Sequence, residues 1–175
     1  AAVQGFVERE GLATWQAAIS GGQYEFADGL FYGGRVPTWS NQTLRTVLAK
    51  FAAQASQVAW IDLHTGLGPN GVGERIWAGG NDAAAIARAR RWWGEQVTSI
   101  YDGSSSSALL TGLMWGAIHD AAPQAEYTGI ALEYGTEPIT KVLDALRGDH
   151  WLAQHPMAPP ELAAQIQARM LKAFY

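Results

Sequence analysis

The stretch 58–66, Val58-Ala59-Trp60-Ile61-Asp62-Leu63-His64-Thr65-Gly66, is an apolar run broken only near its end by an aspartate and a histidine, and it leads into a glycine-rich loop. A short run of this kind, bounded by a turn signal, reads as a buried strand. At the carboxyl ends of strands in an open α/β sheet the connecting loops splay apart and leave a crevice. The run therefore predicts that His64, with Asp62 two residues before it, stands where ligands collect.

Working outward, Tyr127 to Leu132 reads as a second buried strand ending in Glu133-Tyr134-Gly135-Thr136, and Val72 to Trp77 as a shorter one. Helical patterning occupies much of the rest. Residues 6–20 carry Phe6, Leu12, Trp15 and Ile19 on one stripe before a Gly21-Gly22 stop. Ser40 suits an N-cap for a helix bearing Leu44, Val47, Leu48, Phe51 and Ala55, and Asn81 or Asp82 suits one for an alanine-rich helix to about Val97. Leu109 to Ile118 reads as a helix weakened by Gly112 and Gly116 and ended by Pro123. Pro138 opens a helix through Leu146, and Pro159-Pro160 opens the last one, near Tyr175. Tyr24 to Pro37 is an ordered loop, and the "YDGSSSS" segment at 101–107 a serine-rich one. Strands alternating with helices predict an α/β fold with parallel neighbours. Two or three strands are few for a domain of this size, where about five or six are ordinary.

The 175 residues are about one domain long, and 48% apolar content is enough for a sizeable core. A charged fraction of 16% with net charge −4 provides no cationic surface for phosphate backbones, so nucleic acid is not expected as a partner. The absence of cysteine removes disulfides and thiolate metal sites and leaves His, Asp and Glu as ligands. No apolar run is long enough for a membrane span and the first residues lack a secretory layout, so no membrane partner and a cytoplasmic location are expected. The start at Ala1 is compatible with processing or with a piece of something longer. Most of the eight tryptophans are expected in packing roles.

Three chemistries compete for the crevice. Gly66-Leu67-Gly68-Pro69-Asn70-Gly71 matches the spacing of a dinucleotide-binding turn, but a strand-like stretch rather than a helix follows it, and the lysine and hydroxyl of a phosphate-binding loop are missing. Ser104 to Ser107 offers hydroxyls without a nucleophile elbow. Metal-assisted hydrolysis has complementary groups at two strand ends: His64 as a zinc ligand and Glu133 as a carboxylate base. Asp62 shares a strand face with His64 and is expected to orient its imidazole.

The blocks "GLFYGGRVPTWSNQTLR" (29–45), "WIDLHTGLGPNGVGE" (60–74) and "GIALEYGTEP" (129–138), with "VLDALRGDHWL" (142–152), resemble the C-terminal half of a bacterial family known only as a domain of unknown function. That family is similar to the zinc carboxypeptidases and to the aspartoacylase and succinylglutamate desuccinylase group. The resemblance implies a three-layer α/β fold with a mixed eight-stranded sheet. It also implies one zinc ion held by His-x-x-Glu and a later histidine, and hydrolysis of an amide bond in a peptide or an N-acyl amino acid. His64 in "DLHTG" matches the later histidine, Glu133 in "ALEYGT" the catalytic glutamate, and Tyr101 in "SIYDGSSSS" a mobile substrate-contacting tyrosine.

The departures are equally informative. None of His64, His119, His150 and His155 is followed three residues later by glutamate, and no Asn-Arg dipeptide is present to grip a substrate carboxylate. Residues 1–175 are therefore expected to be the C-terminal part of a single such domain, with an incomplete sheet and a single histidine ligand. Alone they are expected to bind zinc weakly and to be inactive, and an unpaired sheet edge is open to homodimerisation. The alternative is a noncatalytic binding module that keeps the fold. His119, His150 and His155 are expected to be structural, and Arg88, Arg90 and Arg91 to form a solvated face.

Overall fold

In the computed structural model, which describes residues 2–175, the two apolar runs become neighbouring parallel strands. The strands are β1 (Gln57–Asn70), β2 (Gly73–Trp77) and β3 (Glu126–Gly135). They form a mixed sheet in the order β1-β3-β2, with β2 antiparallel to β3. The parallel register pairs Val58 with Tyr127, Asp62 with Ala131 and His64 with Glu133, while the antiparallel one sets Glu74 opposite Glu133.

The helices are α1 (Ala2–Glu10), α2 (Leu12–Ser20), α3 (Trp39–Phe51), α4 (Ala83–Trp93), α5 (Ala117–Ala121), α6 (Ile139–Gln154) and α7 (Pro160–Phe174). Several differ from expectation for local reasons. The single helix over 6–20 is two, because Gly11 takes φ +86°, a backbone state that suits glycine. Thr38 rather than Ser40 caps α3, its Oγ1 accepting from the Asn41 N–H at 3.3 Å. Asp82 caps α4 by accepting from the Ala84 and Ala85 amides at 2.8 and 3.2 Å, and the helix stops at Gly94, short of Val97. The helix expected over 109–118 shrinks to one 3-10 turn at Met114–Gly116 followed by α5. Gly112, with φ +71°, keeps the preceding segment irregular. In contrast, α6 runs past Leu146 through Gly148, whose missing side chain lets Ile166 of α7 approach closely.

Packing orders these elements into layers. Ala85 and Ala89 of α4 join Trp77 and Ile130 in the core, and Leu48 of α3, Ala52 just after it and Ile118 of α5 share that cluster with Tyr127. Ile118 is only 1% exposed, and burying such a side chain contributes about 1.5–3 kcal/mol. The α4 arginines are not a solvated face throughout: Arg88 donates from Nε to Thr128 Oγ1 at 2.8 Å and from Nη2 to the Tyr127 carbonyl at 2.7 Å, tying α4 to β3. Helices α6 and α7 pack together and meet β1.

The two sheet edges are finished differently. On β2, the Trp77 N–H donates to the Thr98 carbonyl at 2.8 Å and the Thr98 N–H to the Arg75 carbonyl at 2.9 Å, so a neighbouring segment covers the edge. On β1, no strand pairs with the outer edge among the described residues, and Ile61 and Leu63 are 50% and 74% exposed. Among the described residues no helix is long and apolar enough to cross a membrane.

Candidate functional site

Glu133 sits at the carboxyl end of the central strand, so one row across the sheet reads His64, Glu133, Glu74. Alternation along β1 brings Asp62 to the same side as His64. Asp62 Oδ2 lies 2.9 Å from His64 Nε2, and Glu133 Oε2 lies 3.8 Å from His64 Nδ1. Both ring nitrogens thus face carboxylates. The imidazole is about half exposed, whereas the Glu133 side chain is 8% exposed.

The glycine-rich loop supplies the contact that holds Glu133. The β1–β3 register jumps from Thr65↔Tyr134 to Asn70↔Gly135, so residues 66–69 bulge out of the ladder. Gly66 and Gly68 make the bulge possible with φ +129° and +93°. The bulge directs the Leu67 N–H onto Glu133 Oε1 at 3.0 Å. Gly135 is required opposite, because a Cβ there would collide with the Gly68 and Pro69 carbonyl oxygens. As expected, Gly71 leads into a strand, and here the loop amide serves a carboxylate rather than a phosphate.

Burial pushes the Glu133 carboxyl above its ordinary range. The Leu67 amide and the His64 imidazole oppose that shift, and the charges of Glu74 and Asp62 add to it. Glu74 shows the reverse balance. Burial works to raise it, but hydrogen bonds from Ser106, Thr98 and Ser105 outweigh burial and leave it below the ordinary value. The Thr98 hydroxyl donates to Oε1 at 2.6 Å, the Ser106 amide to the same oxygen at 3.1 Å, and the Ser106 hydroxyl to Oε2. Sequence reasoning missed Glu74. Its position three residues beyond Gly71 was visible, but its partners lie 24 and 32 residues away in a loop of no regular pattern.

Asp62, His64 and Glu133 line one end of a cleft of about 430 Å³ whose walls include Ile76, Ile100, Leu110, Leu113 and Trp115. The serine run forms part of its rim rather than a nucleophile: Ser104 bonds Asp102 and Ser99, and Ser106 bonds Glu74. Tyr101 is not brought to the cleft. Its hydroxyl donates to the Gly79 carbonyl at 3.0 Å and its ring packs against the core. Nearer the site is Tyr127, whose buried hydroxyl lies over Gly129 on the Asp62 side of the sheet and has no hydrogen-bond partner among the described residues. Burial first, and the Asp62 charge second, push this phenol well above its usual range.

The other histidines stand elsewhere. His119 packs edge-on to Trp115 and Tyr127, His150 contacts the Asp28 carbonyl at 2.7 Å, and His155 stacks on Trp151 with ring centroids 4.1 Å apart. Among the described residues no group of three or more His, Asp or Glu side chains is arranged to hold a metal ion. One imidazole between two carboxylates does not fit a zinc site by itself, since such sites use three or four protein ligands. The site's own chemistry is that of a buried, proton-accepting carboxylate beside an imidazole, at the mouth of an apolar cleft.

Neither a curated protein nor a solved structure matches the chain. A family model does, over residues 1–175, and the chain belongs to the protein family of unknown function DUF2817.

Proposed function

We propose that this domain carries the base-bearing part of a hydrolase that cleaves an amide bond, of the carboxypeptidase or N-acyl amino acid deacylase type. The observation that carries the reading is Glu133: a carboxylate in a cleft at adjacent strand ends, pinned by the Leu67 amide and buried enough to hold a proton more tightly than usual. A base whose affinity for protons is raised toward neutrality is suited to take one from water as it attacks a carbonyl. In this reading Asp62 holds the His64 ring in place, and His64 and Glu133 face the reacting group together.

Zinc belongs to the proposal as a metal that His64 would hold only together with two further donors, which the described residues do not supply. When bound, such an ion polarises a carbonyl and acidifies water. The free edge of β1, beside His64, is where further strands of a three-layer carboxypeptidase-like sheet would add. A second copy pairing there would give a homodimer.

The test joins metal content to turnover. Zinc per chain is measured by elemental analysis for the wild type, His64→Ala and Glu133→Gln, alongside hydrolysis of a panel of peptides and N-acyl amino acids. The reading expects His64→Ala to lose whatever metal the wild type holds, and Glu133→Gln to keep that metal and lose turnover. An active Glu133→Gln protein rules out the base. Binding of these compounds by all three proteins with no hydrolysis by any favours a noncatalytic module.

A further inference from the structure

Part of the cleft wall is irregular chain. Residues 102–113 hold no helix or strand, and Ser107, Ala108, Leu110 and Leu113 among them line the cleft. The two halves of this segment are secured differently. Up to Ser107 it is knit by its own serines: Ser104 Oγ accepts from the Ser99 amide at 2.9 Å, the Ser105 amide donates to the Ser99 carbonyl at 3.3 Å, and Ser105 Oγ accepts from the Ser107 amide at 3.0 Å. From Ala108 to Gly112 no amide donates a hydrogen bond to any of the described residues, and Leu109 is 63% exposed while its neighbour Leu110 lines the cleft. Chain that covers apolar surface without backbone hydrogen bonds belongs to the low end of local stability. Its two ends, by contrast, are fixed. Gly112, with φ +71° and open space where a Cβ would lie, joins it to the turn at Met114–Gly116 and to buried Ile118. At the other end Ser106 is gripped from two elements: Glu74 of β2 accepts from its amide at 3.1 Å and from its hydroxyl, and Gln16 Nε2 of α2 donates to its carbonyl at 2.7 Å.

We propose that Ala108–Gly112 is a flap on the cleft, hinged at Gly112 and latched at Ser106 by Glu74 and Gln16, and that the latch sets how readily a bulky ligand reaches the cleft floor. Swinging the flap outward breaks none of its own amide hydrogen bonds and returns the Leu110 side chain to water, so the contacts at Ser106 are the main resistance to opening. Those contacts are side-chain bonds to a single residue, and their release leaves the β1-β3-β2 ladder intact. Opening is therefore a local event on the timescale of loop motion rather than an unfolding of the sheet. Glu74 and Gln16 come from different elements, so the latch also ties α2 and β2 to the state of the flap. The gate belongs to the cleft whatever chemistry it serves; only its control of turnover rests on the hydrolase reading.

The chain has no cysteine, so one introduced thiol reports access to the cleft. Ala131→Cys places it on the half-buried floor, and its modification is timed in the 175-residue chain with a small reagent, methyl methanethiosulfonate, and a bulky one, pyrene maleimide. The ratio of the bulky to the small rate cancels changes in the thiol's own reactivity. On the Ala131→Cys background, Ser106→Ala and Gln16→Ala are each expected to raise that ratio about fivefold, and Glu74→Ala at least about tenfold. The first two keep the test intact if Glu74→Ala does not fold. Both rates at a thiol introduced by Ala85→Cys, in the core under α4, are expected to stay unchanged by the latch variants. A ratio at position 131 that none of the three variants moves overturns the flap, and so does a rise matched at position 85, which marks general loosening. A ratio in the unlatched and latched proteins alike equal to that of a free cysteine peptide shows that nothing restricts the cleft and overturns it as well. None of these rates requires turnover: a failed gate in a chain that hydrolyses amides removes only the flap, and an intact gate in one that hydrolyses nothing removes only the hydrolase reading.

Discussion

Glu74 and Glu133 face each other across two antiparallel strands, on one face of one sheet, yet their carboxyls shift in opposite directions. Both are partly desolvated, so burial alone does not distinguish them. The difference is the supply of donors. Glu74 receives two hydroxyls and a backbone amide from Thr98 and Ser106 and is kept ionised, while Glu133 receives one backbone amide from Leu67. Glu74 is thereby an anchor for the serine loop that rims the cleft, and Glu133 keeps an oxygen toward the cleft and His64. Two identical side chains one strand apart acquire opposite shifts in proton affinity from the hydrogen bonding around them.

The comparison can be broken most strongly at Glu133. In any preparation that hydrolyses an amide, Glu133→Gln is expected to lower the rate by about 10²–10⁴-fold, with folding intact by circular dichroism. The corresponding Glu74→Ala change acts on stability: it leaves the Thr98 and Ser106 donors without their acceptor and is expected to cost about 1–3 kcal/mol in urea unfolding, with Glu74→Gln costing less. If Glu74→Ala is neutral, the anchor role fails.

The pH dependence should separate the pair by sign. The folded-state pKa of Glu74 is lowered, so its contribution is fully present above the unfolded-state value and is lost as pH falls through the folded one. Glu133 is raised, so its contribution is present below the unfolded-state value and is lost as pH rises through the folded one. Urea midpoints measured from about pH 3 to pH 8 should therefore show Glu74→Gln flattening the acid limb and Glu133→Gln gaining on the wild type as pH rises. Parallel curves for the two variants would contradict the contrast. The smallest effect is expected from Ser106→Ala, which removes one hydroxyl donor and should cost about 1 kcal/mol while moving the Glu74 carboxyl back up, as read by carboxyl-carbon titration.

Local patterns carried much of the architecture. The runs at 58–66 and 127–132 are adjacent parallel strands, Asp82 caps the helix it precedes, and Pro160 opens the last one. Turn chemistry in Gly66–Gly71 pointed to a following strand rather than a helix, and β2 begins at Gly73. Readings failed where a local preference was weak and a distant contact decided. The 109–118 stretch has helical composition, but Gly112 breaks it and Leu110 and Leu113 turn toward the cleft. Arg88 sits on a polar stripe, yet its guanidinium finds Thr128 and the Tyr127 carbonyl. Tyr101 opens its loop as drawn from sequence, but its hydroxyl goes to Gly79.

By itself the sequence determined that the runs carrying His64 and Glu133 are strands, because periodicity and turn residues act over a few positions. Only the tertiary structure decided that those two strands are neighbours in a register that places His64 beside Glu133, and that Glu74 stands on the other side. It alone set the opposite ionisation of the two glutamates. That property depends on burial and on donors 24, 32 and 66 residues away in the chain, and no local pattern encodes which distant hydroxyl or amide will arrive.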